Sequence, residues 1–180
     1  LWGPPVSTAG AKVTEKTALS LPAVWRPVNL IAGPIGSLPL PAYRSEGEVR
    51  QPATGWASDL LDSPHDDLTQ MELLELIMAH CLLWWNAYLL KVYDASGMRP
   101  ELGGRKVQKL VPIHPGRVKP GRTKNGTSGG QKIYKIDGDK VGYTDLEILH
   151  IPGFGFDGVA GLYAIRLARE SLGRVLAAEE

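Results

Sequence analysis

At 180 residues the chain is long enough for one compact domain, and its 43% hydrophobic and 22% charged composition lets it bury a core, which excludes wholesale disorder. Twenty basic and nineteen acidic residues leave a net charge of +1, so no chain-wide attraction to nucleic acid or membrane is expected. A single cysteine, Cys81, excludes an internal disulfide and a cysteine-based zinc cluster.

Residues 1–19 are rich in small, polar and turn-forming types and read as a flexible arm. The opening Leu1-Trp2-Gly3-Pro4-Pro5 has neither a basic nor an apolar leader region, so it reads as carrying no secretory signal and as trimmed from something longer. A first helix is predicted from Ser20, with Val24, Val28, Ile31 and Ile35 on one face, kinked or broken near Pro27. Leu38 to Tyr43 alternates like an edge strand, followed by a turn at Ser45-Glu46-Gly47-Glu48.

The strongest signal is a helix over residues 70–85. Thr69 and Glu72 form a capping box, and Met71, Leu74, Met78, Cys81 and Trp85 recur at three-and-four spacing. As a membrane span this stretch would bury Glu72, Glu75, His80, Asn86 and Lys91 in lipid, which argues for a core helix instead. Strands are predicted over 86–94, 107–113, 116–119, 132–136 and 147–151, with turns at Asp94-Ala95-Ser96-Gly97 and Asp137-Gly138. Residues 120–131 read as a flexible loop, 152–158 as a Gly-rich connection. A last helix from Ala160 carries Leu162, Ile165, Leu172, Val175 and Leu176, and the ending Leu176-Ala177-Ala178-Glu179-Glu180 without a stop signal reads as a cut. The fold class predicted is α+β: a mainly antiparallel sheet packed on the central 70–85 helix, with a kinked N-terminal and a C-terminal helix.

Few residues point to catalysis. Gly116 to Thr123 has phosphate-loop spacing with Arg122 in the lysine position, but Lys124 to Gly130 cannot form the helix that such a loop needs. His65, His80, His114 and His150 lack metal-ligand spacing, and His80 reads as a hydrogen-bonded core histidine. Asp59, Asp62, Asp66 and Asp67 lack calcium-loop spacing, and no nucleophile elbow or base for Cys81 is present. No catalytic, metal or cofactor-binding residue is therefore assigned.

Charge is uneven. Arg99, Arg105, Lys106, Lys109, Arg117, Lys119, Arg122 and Lys124 form a basic run broken only by Glu101, whereas Glu46 to Glu75 holds eight acids and the single base Arg50. The basic lobe is a candidate contact for DNA phosphate, or for the acidic lobe of a neighbouring subunit in a head-to-tail ring.

Four stretches, in order, resemble the portal proteins of tailed double-stranded DNA bacteriophages. Leu21-Pro22-Ala23-Val24-Trp25-Arg26-Pro27-Val28-Asn29-Leu30-Ile31-Ala32 through Tyr43-Arg44 is similar to the family's opening helix and strand. Leu60-Leu61-Asp62-Ser63-Pro64, then Thr69 and the helix ending in Asn86-Ala87-Tyr88, resembles its second block. Leu110-Val111-Pro112-Ile113-His114-Pro115 is similar to a Leu-x-Pro-Leu-x-Pro strand. His150-Ile151, Asp157-Gly158, Gly161 and Ile165 resemble the run into a long helix. The chain departs at His65 (usually Asn), Trp85 (usually Gly) and Tyr163-Ala164 (usually Ser-Pro), and the change at Trp85 bears on turn geometry.

The resemblance implies a structural part, not an enzyme: a subunit of a ring, normally twelve copies, at one capsid vertex through which double-stranded DNA enters and leaves. It implies contact with the packaging terminase, capsid and tail adaptors, and a place in the virion after assembly in the bacterial cytoplasm. Residues 20–158 would be the wing and 159–180 the start of the stem. Alternatives from other classes are a protein-binding adaptor domain and a degenerate nucleotide-binding enzyme built on residues 116–123.

Overall fold

A computed structural model describes residues 6–47, 49–94, 106–123, 130–155 and 158–179. Helix α1 (Glu15–Leu19) begins where the Thr14 and Thr17 hydroxyls each accept from the other's backbone amide. Val13 and Ala18 are buried. Residues 11–19, expected within a flexible arm, thus pack against the body: the polar residues that suggested an arm serve a helix cap.

Helix α2 (Pro22–Gly36) runs through Pro27 and Pro34 as one helix, so of the kink or break expected near Pro27 the break does not occur. Both prolines are exposed, and the carbonyls that lose their amide donors belong to the exposed residues Ala23 and Leu30, which solvent can reach. Residues 38–42, expected as an edge strand, precede the hairpin of β1 (Tyr43–Glu46) and β2 (Val49–Pro52) instead. Pro39 and Pro41 cannot donate to a ladder, so pairing starts only beyond them.

A short helix α3 (Trp56–Asp62) leads to α4 (Gln70–Trp84), which opens on the expected capping box: Glu72 accepts from the Thr69 amide at 2.8 Å. Those hydrogen bonds from Thr69 hold the Glu72 carboxyl below its ordinary range. The buried line of α4 is Leu73, His80, Leu83 and Trp84 rather than the expected seam, and Met71 is half exposed. The helix is covered on different sides by α2 and by the strand that follows it, which spreads burial around its circumference. Gly36 permits the close approach of α2: a Cβ there would lie 3.0 Å from the Met71 carbonyl.

Strand β3 (Asn86–Tyr93) is the centre of an antiparallel sheet between β4 (Val107–Ile113) and β8 (Ile148–Pro152). A 3-10 turn over Pro115–Arg117 leads into a second antiparallel sheet of β5 (Val118–Arg122), β6 (Lys132–Ile136) and β7 (Gly142–Thr144). The fold is α+β, with three small antiparallel sheets among the described residues where one was expected. The loop expected over 120–131 is shorter, because Arg122 already pairs with Lys132, and residues 124–129 lie outside the described residues. So do residues 95–97 of the turn after β3.

Tyr88, Ile113, Val118, Tyr134, Ile136 and Ile148 form a core between the two three-stranded sheets. A second core joins Val13, Ala18, Leu83, Trp84 and Ile165. The C-terminal region starts as α5 (Ala164–Leu167) and α6 (Arg169–Glu179), later than the expected Ala160, and seats Leu172 and Leu176 on that second core while Val175 stays exposed. Among the described residues no helix is long and apolar enough to cross a membrane.

Candidate functional site

The chain reverses from α4 into β3 on one residue, Trp85, held at φ +51° in the left-handed region. That conformation costs a residue with a side chain about 1 kcal/mol. The surroundings fix it. The Gly153 amide donates to the Trp85 carbonyl at 2.7 Å, and the indole meets Phe154 edge-on at 5.8 Å.

Asn86, fully buried, comes next. Its amide donates to the carbonyls of Trp84 (2.9 Å) and Gly161 (3.0 Å), and its oxygen accepts from the Gly161 amide (2.8 Å) and pairs with His150 Nε2 (3.0 Å). Because that oxygen only accepts, His150 carries its proton on Nε2, leaving Nδ1 to accept from the Tyr134 hydroxyl at 3.4 Å. The ring also stacks on Tyr88, centroids 4.4 Å apart. Burial, with Lys132 nearby, pushes His150 down to about 4. It is neutral at pH 7.

His80 is buried against rings, 5.5 Å from Trp84 and 6.1 Å from His114, and burial with the nearby His114 pushes it down to about 4. The hydrogen bond expected for it is replaced by these ring contacts. His114 caps the 3-10 turn by accepting from the Gly116 amide. Among the described residues no group of three or more His, Cys, Asp or Glu is placed to hold a metal ion. Burial raises the Cys81 thiol, which is the wrong direction for a nucleophile. The phosphate-loop spacing over Gly116 to Thr123 lies along the 3-10 turn and β5, where ladder bonds to β6 take the place of a helix N-terminus.

The structure divides the basic lobe. Arg99, Arg105 and Lys124 lie outside the described residues. Lys109 forms an ion pair with Asp66 and so meets the acidic lobe of its own chain, while Lys106 lines the same groove as Asp59. Lys119 and Arg122 belong to β5 of the other sheet, and Arg117 to the 3-10 turn just before it. Lys119 reaches Asp137 at 2.6 Å, Arg117 donates to the Asp137 carbonyl and Arg122 to that of Gly130. Cations missed from sequence, Lys132 and Lys135, sit on β6 directly opposite Arg122 and Lys119.

The separated sequence stretches converge. Asn86 ties to Gly161 and beside it His150, the Leu110 amide donates to the Pro64 carbonyl, and Val24 and Val28 pack on the core that contains Ile165. A family model described as phage portal protein matches residues 22–180. The chain belongs to the phage portal protein family.

Two members are similar across most of it. The portal protein of Enterobacteria phage HK97 is 26% identical over 98% of this chain and 41% of its own length, and the probable portal protein of Streptomyces phage phiC31 is 29% identical over 97% and 38%. The chain thus spans about two-fifths of the portal proteins it matches. Among solved structures, a chain from the neck of a native gene transfer agent particle, computed with C12 symmetry, superposes with a TM-score of 0.67 at 21% identity, covering 98% of this chain and 45% of that one. In this portal family member Asn86, His150 and Gly161 form a buried, hydrogen-bonded knot.

Proposed function

We propose that this chain is the wing and the beginning of the stem of a portal ring subunit, at the capsid vertex through which viral DNA is packaged and ejected. The observation that carries the reading is the family match over residues 22–180 together with the convergence of its separated stretches on one buried knot. The C12 symmetry of the gene transfer agent neck supports a ring of twelve. A ring of identical subunits needs two different mutually complementary faces on each copy and needs no catalysis. The part is structural and not an enzyme, works in the virion after assembly in the host cytoplasm, and has neighbouring copies, double-stranded DNA, the terminase, capsid and tail adaptors as partners. No cofactor enters this role.

Electron microscopy of the full-length protein tests the reading. Rings with a central channel are expected; lone subunits with turnover of their own would overturn it.

A further inference from the structure

Strand alternation turns Tyr88 and Ile148 into the core between the two sheets, and the register of β3 with β4 and β8 sets Leu89, Leu110, Leu149 and Ile151 on the opposite face. Helix α4 covers that face without filling the space beneath it. Between helix and sheet lies a cavity of about 160 Å³, walled by those four residues together with Leu74 and Ile77 of α4. Leu40 and Leu149, 44% and 37% exposed, open it to solvent. Gln70 brings the one polar side chain to the lining, and its amide already donates to the Leu61 carbonyl at 2.7 Å. Water, which needs several polar partners, is held poorly there. The stretch from Leu61 to Gln70 that forms part of this wall also lines an acidic hollow beside it, with Asp62, Asp66 and Asp67. Asp66 is tied to Lys109, but Asp62 and Asp67 are exposed and make no ion pair among the described residues.

We propose that this groove docks a peptide segment of a partner protein, one bulky apolar side chain entering the cavity while a nearby lysine or arginine lies over Asp62 and Asp67. The cavity has room for about one such side chain, which is how a buried anchor at a protein interface is seated. The acidic rim selects the carrier. A fatty acid or a phospholipid would bring a carboxylate or a phosphate against Asp62 and Asp67, whereas a basic peptide turns the same charges into attraction. A neutral small molecule would find no free polar side chain in the cavity to orient it. The proposal stands on this shape and charge and does not need the ring reading.

The test is a selection of random peptides displayed against the immobilised 180-residue chain, followed by fluorescence anisotropy of the enriched peptides after labelling. Enriched sequences are expected to carry Leu, Ile, Met, Phe or Trp close to Lys or Arg. Leu149→Glu, which places a charge at the mouth of the cavity, should weaken their binding by about tenfold or more. Asp62→Asn with Asp67→Asn changes only exposed carboxylates, so it reads the rim without threatening the fold. It should weaken binding about threefold to tenfold and remove most of its salt dependence. No enrichment over an unrelated immobilised protein overturns the proposal, as do enriched peptides without a basic residue. Affinity unchanged in Leu149→Glu, or in the Asn double variant, overturns it too. Sedimentation that shows self-association lost in Leu149→Glu, with no peptide bound, would assign the groove to a second copy. Uptake of dodecanoate in place of any peptide would assign it to an acyl chain.

Discussion

Replacing Asn86 by Ala should be among the most damaging single changes in the described fold. The side chain serves four partners, the carbonyls of Trp84 and Gly161, the Gly161 amide and His150 Nε2, and it is fully buried. Each buried polar group left unmet costs roughly 1–3 kcal/mol, and a water entering the vacated space can restore some of them. A net loss of about 4 kcal/mol is expected, a large fraction of the roughly 5–15 kcal/mol that keeps a domain folded. Urea unfolding followed by tryptophan fluorescence reads this as a lower midpoint at unchanged slope. Asn86→Leu separates the causes: it refills the volume but satisfies none of the partners, so it should cost nearly as much as Ala. If Leu restores most of the stability, or if both variants lose less than about 1 kcal/mol, the hydrogen-bond account of the knot is wrong.

Trp85→Gly relieves about 1 kcal/mol of left-handed strain but gives up the edge-on contact with Phe154, worth a similar amount, so its melting temperature should stay close to the parent's. Trp85→Val keeps the strain, adds β-branching and loses the ring, and a Val variant as stable as the Gly one would refute the assignment. Gly161→Ala would set a Cβ 1.9 Å from the Trp85 carbonyl, forcing backbone to move at a cost of about 2–3 kcal/mol, whereas Gly121→Ala meets open space and should be nearly neutral in urea titrations. His80 titrates near 4 when folded against an ordinary value of 6.5, so the unfolded chain takes up a proton that the folded one refuses. Stability should fall as pH drops from about 6.5 to about 4, by roughly 2–3 kcal/mol from His80, with His150 acting in the same direction. Urea midpoints for the parent and His80→Phe at pH 7 and pH 4.5 check this. Equal pH sensitivity in the two proteins would exclude His80 as a source.

Elements whose signal is local were legible in the sequence. The capping box and dense apolar run marked α4, and alternation marked β3, β4 and β6 within a residue or two. Helices α1 and α3 were missed because five and seven residues are too few to display a helical period. β7 has three residues, one of them Gly142, and is a strand only because Tyr143 finds Tyr134 across the ladder. The basic lobe was legible as composition, but its division was not. Which cations meet acids and which meet each other depends on strand register, and register is set by partners distant in sequence. Asn86, His150 and Gly161 stood out only as fragments of separate family-like stretches. Periodicity cannot reveal that a polar residue at the start of a strand is fully satisfied by groups 64 and 75 positions away.

The knot also explains how the chain accommodates Trp85 at a left-handed turn where the family resemblance leads one to expect glycine. Glycine is favoured at such a position because the left-handed backbone crowds a Cβ, yet the penalty is only about 1 kcal/mol. The conformation here is imposed from outside: Gly153 donates to the Trp85 carbonyl, Gly161 lies against it, and Asn86 bridges Trp84 to Gly161. Several kcal/mol of neighbouring hydrogen bonds therefore hold a turn that opposes them by about one, and the residue identity at the turn becomes secondary to the glycines that pack around it. The glycines matter more because their requirement is steric closeness, which no other residue supplies. Through that closeness the end of α4, the start of β3, the end of β8 and the approach to α5 are held at a single point.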